Sequence, residues 1–328
     1  MVSRSLLCVV AVTAVAFGAS VGDAARRAPP LTFSVFATTG GQKLDSILWT
    51  GSSFLYVENT ANTIWSAPAA GAPLVRFASM PALVEETRCA LSPGTKGFPA
   101  GEIFCASPDN KIYEISADGS TVTVFATLPA PYPPASDGAL AFDTVGRFGS
   151  RLLAATGRSG TATAGGTVYA VDSAGRVTQI GTYEGPGGAD ELAVAPARFG
   201  SAGGDVLLTV DAGAKLGALV AMDPSGHAHA IIRLPHGLNP IAVLPAAFPS
   251  PRSGSPPAGL YVTNDEGNDV YSAPASQLAP YAGEVIVGAE NAFRFWVVRP
   301  TRAAFTALPF RTVSPRGKVS LESALFIG

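Results

Sequence analysis

A short unit recurs six times in this sequence, and no other feature constrains the fold as strongly. Each copy begins with a polar residue and continues as an apolar run. The copies read DSILWTG, TRCALSP, DGALAFD, DELAVAP, NPIAVLP and RFWVVRP, and they begin at Asp45, Thr87, Asp137, Asp190, Asn239 and Arg294. Successive copies start 42 to 55 residues apart. A repeat of this length is typical of solenoids and propellers.

Four strand-like runs fit into each period, which is the content of one propeller blade. In the fifth period the runs after the inner one are residues 259–263, 269–273 and 284–288. The sixth period is incomplete, because only residues 305–313 and 318–326 follow the run at 294–300. The run at 32–37 resembles the outer strands and supplies the missing strand. We therefore predict an all-β, six-bladed propeller of four-stranded blades, closed by its N-terminal strand.

Length and composition favour one folded domain over residues 32–328. The 328-residue chain is 47% hydrophobic and 14% charged, which is enough to form a large core, and the repeat continues without a linker. A net charge of −2 and scattered arginines argue against a nucleic-acid partner. We expect a monomer.

Residues 1–24 have the layout of a cleavable secretory signal, with Arg4, an apolar run from Leu6 to Phe17, and small residues after it. The alternative is an uncleaved N-terminal anchor. Residues 25–31 form a polar leader that we expect to lack order. Signal removal would leave no membrane span, and the predicted location is secreted or extracytoplasmic, in the periplasm or at the cell surface.

Two cysteines remain in the mature chain, Cys89 in the second inner run and Cys105 in the strand after it. Their positions allow them to face each other across an antiparallel pair, and an oxidising compartment favours a disulfide. The alternative is two buried free thiols.

The first residues of the inner strands are expected to form a ring at one mouth of the central channel. Carboxylate and amide oxygens suit Ca²⁺ or Mg²⁺, so Asp45, Asp137, Asp190 and Asn239 are the candidate metal ligands. Thr87 and Arg294 complete the ring, and Glu191 would replace Asp190 if the register slipped by one residue. The alternative is a water-filled channel. No organic cofactor is indicated.

One histidine lies close to this mouth. His236 precedes Asn239 by three residues, where a general base for water attack on an ester would be placed. The alternative is a turn residue within Pro235-His236-Gly237.

The segments starting at Asp45, Asp137 and Asn239 resemble the inner-strand motifs of the gluconolactonase/regucalcin family, and the repeat plan is similar to NHL-type propellers. The resemblance implies six blades and a divalent cation, usually Ca²⁺, on the channel axis. Asp45 would then correspond to the family's glutamate, Asn239 to its asparagine ligand, and Asp137 or Asp190 to its aspartate.

Two function hypotheses follow. The first is an exported propeller that binds a small molecule or a divalent cation at the channel mouth, with metal-dependent hydrolysis of lactones or esters implied by the resemblance. The second is a non-catalytic extracytoplasmic propeller whose faces bind a protein or a glycan.

Overall fold

A computed structural model describes residues 30–59, 61–81, 87–129, 138–157, 165–185, 188–211, 216–250, 253–302, 304–313 and 317–328. Residues 1–24, predicted to be a signal, lie outside these ranges. Within them, no helix has the length and apolar character needed to cross a membrane.

The described residues form six four-stranded antiparallel sheets arranged as a β-propeller, which confirms the predicted fold class. In blades 1 to 4 the strands follow chain order from the inside outward. Two short strands, β1 (Leu31–Thr32) and β2 (Ser34–Thr38), precede them. Blade 1 contains β3 (Leu44–Trp49), β4 (Phe54–Glu58), β5 (Thr63–Ala67) and β6 (Val75–Ser79). Blade 2 contains β7 (Cys89–Pro93), β8 (Ala100–Ser107), β9 (Lys111–Ile115) and β10 (Val122–Thr127). Blade 3 contains β11 (Gly138–Phe142), β12 (Leu152–Gly157), β13 (Gly166–Val171) and β14 (Val177–Tyr183). Blade 4 contains β15 (Ala189–Val194), β16 (Val206–Asp211), β17 (Gly217–Met222) and β18 (Ala228–Leu234).

The last two blades exchange strands along the chain. The remaining strands are β19 (Leu238–Val243), β20 (Gly259–Asn264), β21 (Asp269–Pro274), β22 (Val285–Ala289), β23 (Phe295–Pro300), β24 (Phe305–Pro309), β25 (Thr312–Val313) and β26 (Leu321–Ile327). Blade 5 has the order β19-β22-β23-β24, and blade 6 has the order β26-β20-β21-β2. After the inner strand of blade 5, the chain therefore builds two strands of blade 6 before it returns to complete blade 5.

This order corrects the predicted assignment of the sixth inner strand. The run at 294–300 is β23, the third strand of blade 5, and it pairs with β22 and β24. The inner strand of blade 6 is β26, which pairs with β20. The runs at 259–263 and 269–273 belong to blade 6 rather than blade 5.

The N-terminal strand closes the ring as predicted, because β2 pairs with β21 as the outermost strand of blade 6. Leu31, placed in the leader by the sequence, is fully buried and pairs with Thr312 in the small parallel sheet β1-β25. Ordered structure therefore begins before β2.

The core consists of apolar layers within and between blades. One layer joins blades 3 and 4, and another joins blades 5 and 6 through residues such as Leu260 and Phe295. In the described parts of the chain the helical segments are short: α1 (Ala275–Leu278) and two 3₁₀ turns, Gly200–Ala202 and Ala279–Tyr281. Each blade thus packs its two faces against its neighbours, and the inner edges of the sheets line the channel.

The predicted disulfide is confirmed. Cys89 on β7 lies directly opposite Cys105 on β8, and their sulfur atoms are bonded. The bond fits an extracellular or periplasmic protein.

Replacing both cysteines by alanine is expected to lower the free energy of unfolding by about 3 kcal/mol, because the bond closes a loop with a sequence separation of 16. Urea denaturation of the variant and of the reduced native protein would measure the loss. The loss of unfolding free energy in the variant and the loss in the reduced native protein should agree. Equal stability of the reduced and oxidised native chains would contradict the expectation.

Candidate functional site

The inner strands carry irregularities near their first residues, at one end of the channel. In β3, β15, β19 and β26 the pairing register shifts by one residue at this end, which is the pattern of a β-bulge. The bulges contain or adjoin Asp45, Asp190, Asn239 and Glu322. A bulge re-aims side chains that strict alternation would direct elsewhere, and it tolerates Pro240, which lacks the backbone N–H that a regular ladder needs.

Two threonines on second strands satisfy the backbone of these bulges. The Thr209 hydroxyl accepts a hydrogen bond from Glu191 N–H at 3.0 Å and lies 2.8 Å from the Asn239 carbonyl of the next blade. Thr263 accepts from Ser323 N–H at 3.0 Å and lies 3.0 Å from the Asp45 carbonyl. Both threonines are fully buried. They connect blade 4 to blade 5 and blade 6 to blade 1.

The Arg88 guanidinium lies between the first residues of four inner strands. It forms an ion pair with Asp45 of blade 1. Its Nε donates to the Asp190 carbonyl at 3.1 Å, and its Nη2 lies 3.1 Å from Asn239 Oδ1 and 3.2 Å from Glu322 Oε2. Arg88 from blade 2 therefore contacts blades 1, 4, 5 and 6. We call this group the Arg88 network, consisting of Arg88, Asp45, Asp190, Asn239 and Glu322.

The network is almost fully removed from solvent. Asp45 is 0% exposed, Glu322 1% and Arg88 2%. Asn239 Nδ2 donates to Glu322 Oε2 at 2.7 Å, and the Ser320 hydroxyl donates to the other oxygen of Glu322 at 2.7 Å. Charges this deep are stable only when they are paired and hydrogen-bonded. The network therefore closes the channel at this end.

Glu191 lies next to the network and is also buried. Its Oε2 accepts the Ile241 N–H at 2.8 Å, and Ser323 lines the same cavity. Burial raises the pKa of Glu191 to about 7; Arg88 acts in the opposite direction, and Glu322 adds to the rise. Together with Asp45 and Glu322, three carboxyl groups therefore lie near the Arg88 guanidinium among the described residues.

A cavity of about 150 Å³ lies inside the channel beside Glu191. Its polar lining comes from Ser46, Arg88, Glu191 and Ser323, and much of the rest is aliphatic, including Leu48, Leu140, Leu192, Ile241 and Leu325. Leu48 and Leu325, farther along their strands, are partly exposed, whereas Asp45 and Glu322 at the start of the same strands are buried. The cavity is therefore closed by the Arg88 network and opens toward the ends of the inner strands.

Several predicted mouth residues come together. Asp45, Asp190 and Asn239 surround Arg88, and Glu191 lines the adjoining cavity. Thr87 is buried and forms a parallel bridge with Gly138. Asp137 lies outside the described residues.

Arg294 is not in the ring, contrary to the prediction. It is exposed in the turn between β22 and β23, and its carbonyl accepts the Ala289 N–H. The prediction was wrong because the run that Arg294 starts is a third strand. The sixth position of the ring belongs to Glu322.

Among the described residues, no group of three or more His, Cys, Asp or Glu side chains could hold a metal ion. Asp45 and Asn239 direct oxygens to a guanidinium. The metal site at Asp45, Asp137, Asp190 and Asn239 stays a prediction, since Asp137 is not described.

His236 lies in the turn before β19 with a φ of 98°. Its ring is 6.3 Å from that of Trp296, on the third strand of blade 5. Its role as a general base stays a prediction.

Sequence reasoning missed two members of the network, Arg88 and Glu322. A signal for Glu322 was present, because Glu322-Ser-Ala-Leu-Phe326 has the pattern of Asp45-Ser-Ile-Leu-Trp49. Arg88 directly follows Thr87, the residue that aligns with the other ring positions. Consecutive side chains of a regular strand point to opposite sides, so the sequence pattern does not place Arg88 beside Thr87 in the ring.

The sequence matches no protein-family model and no curated protein. Solved structures do share the fold. The PQQ-bound form of aldose sugar dehydrogenase from Streptomyces coelicolor is similar with a TM-score of 0.56 and 15% identity, over 89% of this chain and 91% of that chain. A chain of a nidogen/laminin complex is similar with a TM-score of 0.54 and 10% identity, over 89% and 87%. The six-bladed fold is confirmed, and the gluconolactonase/regucalcin or NHL type stays a prediction.

Proposed function

We propose that this propeller binds a small organic molecule in the channel cavity beside Glu191. The observation that supports this most directly is the cavity itself, a chamber on the propeller axis that combines aliphatic side chains with the polar side chains of Ser46, Arg88, Ser323 and the buried Glu191. Binding sites of small molecules commonly combine an apolar wall with a few convergent polar groups. The approach is from the face where the inner strands end, since the Arg88 network closes the other side.

In this proposal, the Arg88 guanidinium occupies the position among the first residues of the inner strands that the sequence analysis assigned to a divalent cation. The oxygens of Asp45 and Asn239 are engaged by its guanidinium. A cation held by the same oxygens would lie against a positive charge, or Arg88 would have to leave the axis. The residues described here therefore fit a guanidinium better than a metal, and we derive no metal-dependent hydrolysis.

The proposal can be tested by ligand-observed NMR with a library of fragments of up to about ten non-hydrogen atoms. We expect hits with the native protein that are lost in Ala324→Phe, which adds a ring to a residue lining the cavity. Gln179→Phe, at an exposed position on the outermost strand of blade 3, is the matched control and should retain them. If no fragment binds, or if Ala324→Phe retains every hit, the proposed function is wrong.

The second candidate is an extracytoplasmic interaction propeller, and one observation favours it. Val35, Val75 and Val124 are each about half exposed, and they lie on the outermost strands of blades 6, 1 and 2, which are consecutive around the ring. Exposed apolar residues on sheet edges are suited to contact with another chain. If the fragment screen gave no hits, the interaction propeller would remain as the candidate function.

A further inference from the structure

We infer that the ligand of the channel cavity is a small monoamine, bound as its ammonium cation by the Glu191 carboxylate. This inference rests on the proposed binding function and specifies its ligand class. Three properties of the described residues support it: the commitment of Arg88, the surroundings of Glu191, and the size and lining of the cavity.

Arg88 is not available as the anchor for an anion. Its Nε and Nη2 groups are used by Asp190, Asn239 and Glu322, and its Nη1 by Asp45. A guanidinium has five N–H donors, so at least four of them already point to protein acceptors. A carboxylate or phosphate entering the cavity would therefore meet few donors.

The charge around the cavity favours a cation. Three carboxyl groups, those of Asp45, Glu191 and Glu322, lie near one guanidinium. Asp45 and Glu322 are paired directly with Arg88, whereas Glu191 is in the cavity wall. A charge in low dielectric gains most from a partner of opposite sign. An ammonium group in the cavity would supply that partner to Glu191.

Glu191 is also held in a suitable orientation. The Ile241 N–H donates to one oxygen of its carboxyl group at 2.8 Å, and the Ser323 side chain lines the same cavity. A carboxylate can accept about four hydrogen bonds, so this fixed contact leaves capacity for the N–H donors of an ammonium ion. Hydrogen bonds between charged groups are about twice as strong as neutral ones.

The cavity limits the size and polarity of the amine. A volume of about 150 Å³ accommodates a molecule of roughly the size of benzene, or about six non-hydrogen atoms. Leu48, Leu140 and Leu192 supply apolar wall that suits an alkyl chain and disfavours a second charged group. A four- or five-carbon primary amine fits these limits better than a diamine or an amino acid.

The test is isothermal titration calorimetry at pH 8 with n-butylamine, 1-butanol and butyrate, which have similar size and differ in charge. We expect n-butylamine to bind the native protein at least about tenfold more tightly than either analogue. Glu191→Gln should weaken amine binding by about ten- to a hundredfold and leave butanol binding unchanged. Glu266→Gln removes the same charge from an exposed turn of blade 6 and is the matched control.

The outcomes separate the two proposals. Equal binding of the alcohol or the acid, with no loss in Glu191→Gln, would overturn the amine inference and keep the binding function. No binding of these probes together with an empty fragment screen would overturn both. The comparison of the three probes needs only the native protein, so the inference remains testable if Glu191→Gln does not fold.

Discussion

Replacing Arg88 by methionine is expected to lower the free energy of unfolding by about 3–5 kcal/mol, which is a large part of the stability of a typical domain. The substitution keeps an unbranched side chain in the channel but removes the positive charge. It leaves the carboxylates of Asp45 and Glu322, each at most 1% exposed, without their cationic partner. Urea denaturation at pH 7.5, followed by tryptophan fluorescence, would measure the change.

A variant that also neutralises the two carboxylates paired with Arg88 is the control for this prediction. In the triple variant Asp45→Asn/Arg88→Met/Glu322→Gln these two carboxylates are removed together with their cationic partner, so a large part of the lost stability should return although Asp190 and Glu191 remain. If the single and triple variants were equally unstable, the loss would come from packing around Arg88, and the ion pairs would not be its cause. A single variant as stable as the native chain would contradict the central role of the network.

The number of blades could be predicted because it depends on features that sequence displays directly. Each period contains strand-like runs separated by turn residues, and the ring needed one more outer strand, which the run at 32–37 supplied. The strand order of blades 5 and 6 could not be predicted in the same way. The runs at 259–263 and 284–288 are both short, apolar and bounded by turns. Either one can pair with the inner strand of blade 5, and only tertiary packing distinguishes them.

The candidate site was predictable to a similar extent. Asp45, Asp190 and Asn239 were placed correctly near the axis because a polar residue starting an inner strand must lie at one end of the channel. Arg88 was missed because the register shifts at these strand ends break the two-residue alternation on which pattern reasoning depends. Glu322 was missed because the run at 318–326 fits the third strand of a sixth blade whose inner strand is 294–300 and whose outer strand is 32–37.

This revised order of blade 6 also explains why the C-terminal strand matters for stability. Strand β26 provides the inner edge of blade 6, pairs with β20, and carries Glu322 into the Arg88 network. Leu321 and Ile327 are buried, and each contributes about 1.5–3 kcal/mol through burial of its side chain. Loss of Glu322 would further remove one of the carboxylates paired with Arg88.

Deleting residues 318–328 is therefore expected to abolish cooperative unfolding, since the combined loss approaches the 5–15 kcal/mol that stabilises a typical domain. Differential scanning calorimetry should show no sharp transition for the shortened chain. Glu322→Gln, which keeps the strand and removes only the charge, should retain a transition at a lower temperature. A synthetic peptide of residues 318–328 added in trans should restore the transition, because it re-forms the pairing with β20. If the shortened chain unfolded as sharply as the full one, β26 would not be the inner strand that closes the ring, and the strand order of blades 5 and 6 would have to be revised.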